Sequence, residues 1–517
     1  MKAKESNKDA LLTINDKLAW VYVMLASFIL YVYTLTPGIT WGDSAKLVNY
    51  VIKKKITSDL VGGHNLHTIL GLIFNLLPLH DVAYKQNLMS AFFAALALGI
   101  FYIVSEKIIK SKIAALAATI SLAVSQMFWF MSVVNESYSL IYCFFAILLF
   151  LMVKYRENHK SISLFLFTLL YALSVFENML LAVFLPAYLF FFLSTDKKII
   201  KDKLNLAVII TGILIGFVLP LWLLRIYTAS HVFTTHPFIE SIILGVIDSA
   251  KTYFRSLHHI VRQLILYPAY LFYQFPVWGF IIGIVGLYKS YRTDKLLFYS
   301  LIIIIILNVF FASMYMLQRA FNLMVPGFMI FAIFIGYGVK WLFEDRMFIR
   351  GNIVKVVMLI LIFFTPILFY GTVSTYILHH PNKMLVHARE LPYRNNIEYY
   401  LIPWKQNNYG PELYAYQIFS VLPKNAILIA DFTPEEVLRY YQLAYNFRKD
   451  VNIVDEDHYV FMGKDGGNAL VNYIASELKN GKAVFLADDN PQYYFIPDLT
   501  KVFDIQKFGL AYKVSFK

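Results

Sequence analysis

Read from its amino terminus, the chain alternates long apolar runs with short polar joints as far as about residue 380. A helix needs about 20 apolar residues, each rising 1.5 Å, to cross a bilayer. Eleven runs reach or approach that length: 17–36, 86–105, 113–133, 137–153, 161–176, 178–194, 204–226, 262–288, 296–315, 321–342 and 353–378. The pattern therefore predicts about 11 transmembrane helices. One more apolar stretch, "HTILGLIFNLLPL" (67–79), has only 13 residues and suits a re-entrant or interfacial helix. The first run follows a polar tail, residues 1–16, and lacks a small-residue cleavage site, so it reads as an uncleaved signal anchor.

After residue 385 the period changes. "LPKNAILIADFTPEEVLRYYQLAYNFRKDVNIVDED" reads as strand, helix, strand, with Thr433 as the helix N-cap and Pro434 in its first turn. "GGNALVNYIASELKNGKAVFLADD" reads as helix, Gly481, strand. Alternating strands and helices predict a small, mostly parallel sheet. "GKDGGN" (463–468) precedes a helix without a strand directly before it, so it is not a phosphate-binding loop. Residues 385–517 thus read as a soluble α/β domain with a docking or substrate-presenting role.

Composition agrees. The chain is 59% hydrophobic and 15% charged, against about 25% charged in soluble domains. The formal net charge of +13 needs no nucleic-acid partner, because basic residues cluster in the joints. Those clusters lie at 107–112, 154–160, 197–203, 289–295 and 340–355. With eleven spans all five share one side with the N-terminal tail, and the positive-inside rule makes that side cytoplasmic. The loop 37–85, the joints at Glu136, Glu177 and Arg319, and everything after about 379 then face outward. The single cysteine, Cys143, excludes an intrachain disulfide and a cysteine-based metal site.

The outward face gathers the chemistry. "YTLTPGITWGDSAKLVNY" (33–50) places a Pro-Gly turn, Trp41 and Asp43 just past the first span. Asp43 is either a helix-capping residue or a carboxylate set for proton transfer. Lys46, three residues on, shares its helix face. Arg319 is a phosphate ligand or an interfacial snorkel. His64 and His67 could join Asp43 or Glu136 around a divalent cation, or serve as ordinary loop histidines. Glu136 opens a helix, where its charge favours the N-terminal dipole. Glu177 is open between a site role and a hydrogen bond to a neighbouring helix end. Trp129, Phe130, Tyr267, Tyr270, Tyr273 and Trp278 could line a lipid groove, or simply sit at the membrane interface.

Four segments carry a family resemblance: "LYVYTLTPGITWGDS" (30–44), "FWFMSVVNESYSL" (128–140), "ALSVFENMLLAVFLPAYLF" (172–190) and "LPKNAILIADFTPEEVLRYYQ" (422–442). Together they resemble GT-C-fold polytopic glycosyltransferases, in particular the protein O-mannosyltransferase branch formerly catalogued as a domain of unknown function. The sequence departs from that branch in having Ala45-Lys46 where Gly-Glu is usual, and "DLVGGHNLH" (59–67) where a His-Pro-Pro-Gly segment is usual. The resemblance implies a GT-C-like transmembrane domain at 17–380, with its active site on loop 37–85 and an extracytoplasmic α/β domain at 385–517. It implies transfer of a sugar, such as mannose, from a polyprenyl-phosphate donor to a hydroxyl of a protein or glycan, outside the plasma or inner membrane. Asp43 would be the general base of an inverting displacement. Trp41, Lys46, Glu136, Tyr138 and Arg319 would bind substrate, and a divalent ion on His64 and His67 would be the one cofactor. The competing expectations are an inactive glycolipid-binding relative and a lipid or solute transporter. A transporter should show inverted repeats and polar residues at mid-span, and neither is visible.

Overall fold

A computed structural model describes residues 18–57, 64–231, 257–314, 320–345, 352–380, 389–455, 466–491 and 493–517. Arg319 and the loop segment 58–63 lie outside the described residues. The early helices are α1 (Ala19–Tyr33), α2 (Asp43–Lys53), α3 (Asn65–Phe74), α4 (Val82–Ile109), α5 (Lys112–Ala123), α6 (Gln126–Ser132), α7 (Tyr138–Asn158) and α8 (Ser161–Glu177). Among the described residues, six helices are long and apolar enough to cross a membrane, or up to eight if each of two bent pairs is one span. The runs at 17–36, 161–176 and 178–194 form helices shorter than 18 residues. The stretch 67–79 falls on α3 and the turn after it.

Two runs that read as continuous spans are broken. The run 262–288 becomes helices Ile260–Gln274 and Trp278–Thr293, bent by 118° at "FPV". Pro276 has no amide hydrogen to donate, and Val277 takes φ +53°. The run 113–133 bends by 68° between α5 and α6. Backbone groups freed inside a bilayer must find partners from the protein. Here the Tyr31 hydroxyl donates to Ala123 O at 2.9 Å, and the Tyr370 hydroxyl donates to Val124 O at 3.2 Å. Met127 N donates to Gln274 Oε1 at 2.8 Å.

Small residues set the packing. A Cβ on Gly286 would strike Phe334 O, and one on Gly338 would strike Ile282 O, so helices Trp278–Thr293 and Val325–Lys340 cross backbone to backbone. At one end of the bundle the basic joints meet. Lys107 pairs with Glu157 at 2.8 Å, Arg156 with Asp294 at 2.5 Å, and Lys340 Nζ donates to Ile109 O at 2.7 Å. The Tyr155 hydroxyl donates to Asp196 at 3.2 Å, which brings the fifth cluster to the same end.

The C-terminal residues build a five-stranded sheet in the order β2-β1-β3-β5-β4. Its strands are β1 (Ile427–Ala430), β2 (Asn452–Asp455), β3 (Val484–Leu486), β4 (Phe503–Phe508) and β5 (Ala511–Phe516). β1 runs parallel to both β2 and β3, as the alternating pattern requires. β5 joins β3 antiparallel and closes a hairpin with β4. Helix Phe432–Tyr445 is capped by Asp431, whose carboxylate accepts from Thr433 N, and not by Thr433 as expected. The aspartate wins because it stands two residues earlier, directly before the helix, where the chain leaves the strand in extended backbone.

Candidate active site

The Trp-Gly-Asp corner is built by one backbone feature. Gly42 takes φ +69° and ψ −128°, a region that residues with a Cβ rarely enter. This turn sends its two neighbours in opposite directions. Trp41 is buried, with its ring centroid 5.2 Å from that of Tyr414. Asp43 is exposed at the first position of α2, where a carboxylate favours the helix dipole. It makes no capping hydrogen bond, and among the described residues no donor reaches it.

The turn is held from three sides. Asn87 Nδ2, on α4, donates to Thr36 O at 2.9 Å and to Gly38 O at 2.8 Å. Thr36 N donates to Val133 O at 3.0 Å, and Trp129 Nε1 to Thr34 Oγ1 at 2.9 Å. Asn135 Nδ2 donates to Ser44 O at 3.2 Å. That bond sets the Asn135-Glu136 joint against the start of α2, beside Asp43. Asn135 and Ser44, the sequence neighbours of Glu136 and Asp43, are thus in contact, although 91 positions separate them. Tyr138 follows at the first position of α7, and its ring stacks on Tyr142 at 6.3 Å.

α2 is clamped between the bundle and the C-terminal unit. Ala45 and Val48 bury into the C-terminal core together with Ile39, Trp41 and Ala83. Asn49 Nδ2 donates to Glu436 Oε2 at 2.6 Å, and Tyr440 donates its hydroxyl proton to Asp81 at 2.8 Å. Lys46 lies 5.6 Å from the ring centres of Tyr50 and Phe432. Burial would lower its pKa, but Tyr50, Asp43 and Glu436 outweigh burial and hold the ammonium above its ordinary range.

The histidines sit elsewhere. His64 precedes α3 in the left-handed conformation, φ +46°. His67 is buried with neither ring nitrogen partnered among the described residues, and burial pushes its pKa down to about 3. Glu177 Oε2 accepts from Leu66 N at 2.8 Å and His67 N at 3.3 Å, and so caps α3 from the end of α8. His64 Nδ1 lies 3.6 Å from its other oxygen. Of the two roles open to Glu177, the structure shows the hydrogen bond to a neighbouring helix end. Among the described residues no three His, Cys, Asp or Glu side chains converge as a metal would need. These residues, as placed, do not fit a divalent cation.

Sequence reasoning passed over three groups. Asn87 orders the corner, and only its polarity inside an apolar helix marks it. Lys405, 5% exposed, has its ammonium 4.8 Å from the Phe130 ring centre and 5.2 Å from that of Tyr399, and it donates to Ile402 O. Arg389 bridges Asp431 at 2.6 Å and Asp488 at 2.5 Å.

Two cavities stand out. One, of about 690 Å³, runs along helix Asn352–His379 past Leu368, Thr375, Tyr376 and His380 to Trp404. Its wall Trp404 packs on Trp129 at 5.7 Å, which connects it to the Thr34 end of the corner. The other, of about 300 Å³, lies in the C-terminal unit and is lined by Arg389, Tyr414, Asp488, Lys507, Leu510 and Tyr512 among others. Asp43 lines neither.

Residues 61–201 match the family described as "Protein O-mannosyl-transferase TMEM260 N-terminal domain". Among solved structures, the chain is similar to ArnT from Cupriavidus metallidurans bound to undecaprenyl phosphate, with a TM-score of 0.57 at 13% identity over 97% of this chain and 98% of that one. The apo state of the same protein gives a TM-score of 0.55 at 12% identity, over 96% and 98%. The archaeal oligosaccharyltransferase AglB from Archaeoglobus fulgidus, in complex with an inhibitory peptide and a dolichol-phosphate, gives 0.49 at 13% identity over 97% and 75%. The chain thus has the fold of the GT-C membrane glycosyltransferases, and its residues 61–201 match the N-terminal domain of the TMEM260 protein O-mannosyl-transferases.

Proposed function

We propose that the chain is a membrane glycosyltransferase that moves a sugar from a polyprenyl-phosphate donor to a hydroxyl of a protein or glycan. About eleven spans would place the five basic clusters in the cytosol, and the Asp43 corner and the C-terminal unit outside. The observation that carries the reading is the placement of Asp43. Its carboxylate is exposed, holds no hydrogen bond among the described residues, and is fixed by Gly42 and Asn135 where α4, α6, α7 and the C-terminal unit meet.

The step balances simply. The acceptor hydroxyl gives its proton to Asp43, and its oxygen bonds to the anomeric carbon. The bond from that carbon to the phosphate oxygen breaks, with the electron pair leaving on the polyprenyl phosphate. Attack from the opposite face inverts the anomeric centre. Lys46, held charged on the same helix face, meets the negative charge that grows on the leaving phosphate. Glu136 and Tyr138 border the acceptor side. The apolar cavity along Asn352–His379 gives the prenyl chain a groove that ends near the corner.

The test is transfer from a radiolabelled polyprenyl-phosphate hexose by the purified protein in nanodiscs. Asp43→Asn should abolish turnover and leave binding of the lipid donor intact. Turnover equal to the parent would remove Asp43 from the mechanism. A second reading, an inactive glycolipid-binding relative, is favoured by the absence of Asp43 from both cavities. It predicts donor binding without transfer in the parent protein itself.

A further inference from the structure

The sheet of the C-terminal unit has a place where ligands collect in open α/β sheets. From β1 the chain moves to β2 on one side, then crosses back to β3 on the other. The strand order therefore reverses between β1 and β3, and such switch points open a crevice beyond the carboxyl ends of the strands. Asp431 directly follows β1, and Asp488 stands two residues after β3. Arg389 spans the gap between them, 10% exposed, with its guanidinium 4.4 Å from the Tyr493 ring centre. The cavity of about 300 Å³ opens at this point, at the small end of the range for small-molecule pockets.

One wall group has nothing to bind. Tyr414 is 1% exposed, and its hydroxyl has no hydrogen-bond partner among the described residues. Tyr414 lines the cavity together with Arg389 and Asp488, and the charges of Asp431, Asp488 and Arg389 act on its hydroxyl. A buried hydroxyl without a partner costs about 1–3 kcal/mol, and a ligand oxygen would relieve that cost. Burial also raises its pKa, so it is held as a donor.

The lining selects the ligand class. Arg389 and Lys507 are balanced by Glu390 and Asp488, so the walls carry no net charge. A phosphate would meet carboxylates there, and a cation would meet the guanidinium. Leu391, Pro392, Pro434 and Leu510 give an apolar floor, and Tyr512 an aromatic wall with a polar tip. A neutral group that has one apolar face and hydroxyls around its rim satisfies all of these at once.

We infer that the C-terminal unit carries a binding site for a neutral saccharide of one or two residues, between the ends of β1 and β3. Carboxylate Asp488 accepts from its hydroxyls, Lys507 and the Tyr414 hydroxyl donate to it, and its apolar face lies on Leu510 and Tyr512. This site is separate from Asp43, and its occupancy does not depend on transfer at the corner.

The experiment is saturation-transfer difference NMR on the full-length protein in nanodiscs, with free methyl hexosides, N-acetylhexosamines and neutral disaccharides as probes. At least one should show saturation. Leu510→Trp, which fills the cavity, should abolish the signal, and Tyr414→Phe, which keeps the ring, should weaken binding by about three- to tenfold. Asp43→Asn should leave the signal unchanged, whatever it does to transfer. The inference is overturned if no neutral saccharide binds, or if Leu510→Trp and Tyr414→Phe both bind as the parent does. It is also overturned if the signal disappears in Asp43→Asn, or if inorganic phosphate or an acidic or basic peptide binds more tightly than every saccharide.

Discussion

The rings of Trp41 and Tyr414 lie 5.2 Å apart, centroid to centroid, across 373 positions of sequence. Trp41 belongs to the loop that follows α1, and Tyr414 to helix Gly410–Val421 of the C-terminal unit. This pair joins the corner that carries Asp43 to the far side of the C-terminal cavity. Trp41, expected to touch substrate, packs as an apolar pin between the two halves.

Trp41→Ala should therefore act on stability and docking. Removing a buried aromatic costs about 3–5 kcal/mol. The expected result is a lower melting temperature, together with faster protease cleavage near residues 389–409. Cleavage as slow as in the parent would show that the two units hold together without this contact.

Asp43→Asn should barely change stability. The residue is exposed and makes no hydrogen bond among the described residues, so only its dipole contribution is lost, about 0.3–1 kcal/mol. A thermal scan should place the variant within a few degrees of the parent. A large drop in melting temperature would mean that lost turnover reports unfolding instead of chemistry.

Glu177→Ala should strip the cap from α3. Two backbone amides, of Leu66 and His67, would lose their carboxylate in a buried setting. The expected cost is about 1–3 kcal/mol. Hydrogen exchange at the start of α3 should accelerate more than in α4, and equal protection in parent and variant would argue against the cap.

Lys405 predicts a pH dependence. Burial pushes its pKa down to about 7, with Glu398 working against the shift. The folded state then gives up its proton near pH 7, while the unfolded chain keeps it until about 10.4. Between those values the unfolded state binds more protons, so stability rises with pH, by at most about 1.4 kcal/mol per unit. The rings of Phe130 and Tyr399 favour the charged form and reduce the slope. Below about pH 7 the contribution is flat. Melting temperatures from pH 6 to 10 for the parent and Lys405→Met should diverge in that window, and parallel curves would remove Lys405 as the cause.

The proposed sidedness is checked by thiol labelling. Cys143 is buried, so a new cysteine dominates the signal. Asn468→Cys should react with an impermeant reagent in intact cells, and Lys201→Cys should not; both positions are exposed in the fold. The reverse pattern would invert the topology.

The sequence by itself determined the class of protein and the course of its chain. Hydrophobic period and run length are local quantities, and they marked the apolar runs, though not how many of them cross a membrane unbroken, together with the short helix α3 and the strand-helix-strand order of β1, Phe432–Tyr445 and β2. The corner was legible in part: the Pro-Gly turn, Trp41 and Asp43 stand out just past the first span, but that Gly42 makes the turn at φ +69° came from the structure. The bends were harder to see: "FPV" carried a proline, but Val124-Ser125 carried no breaker, and only Tyr31, Tyr370 and Gln274 from distant helices make that break tolerable. Tertiary structure alone decided that Trp41 faces Tyr414, that Glu177 reaches α3 across 111 positions, that Asn49 meets Glu436 across 387, and that Arg389 ties Asp431 to Asp488. Each of these depends on which buried polar group finds a partner once the elements have packed. A residue's own neighbours in sequence do not carry that information.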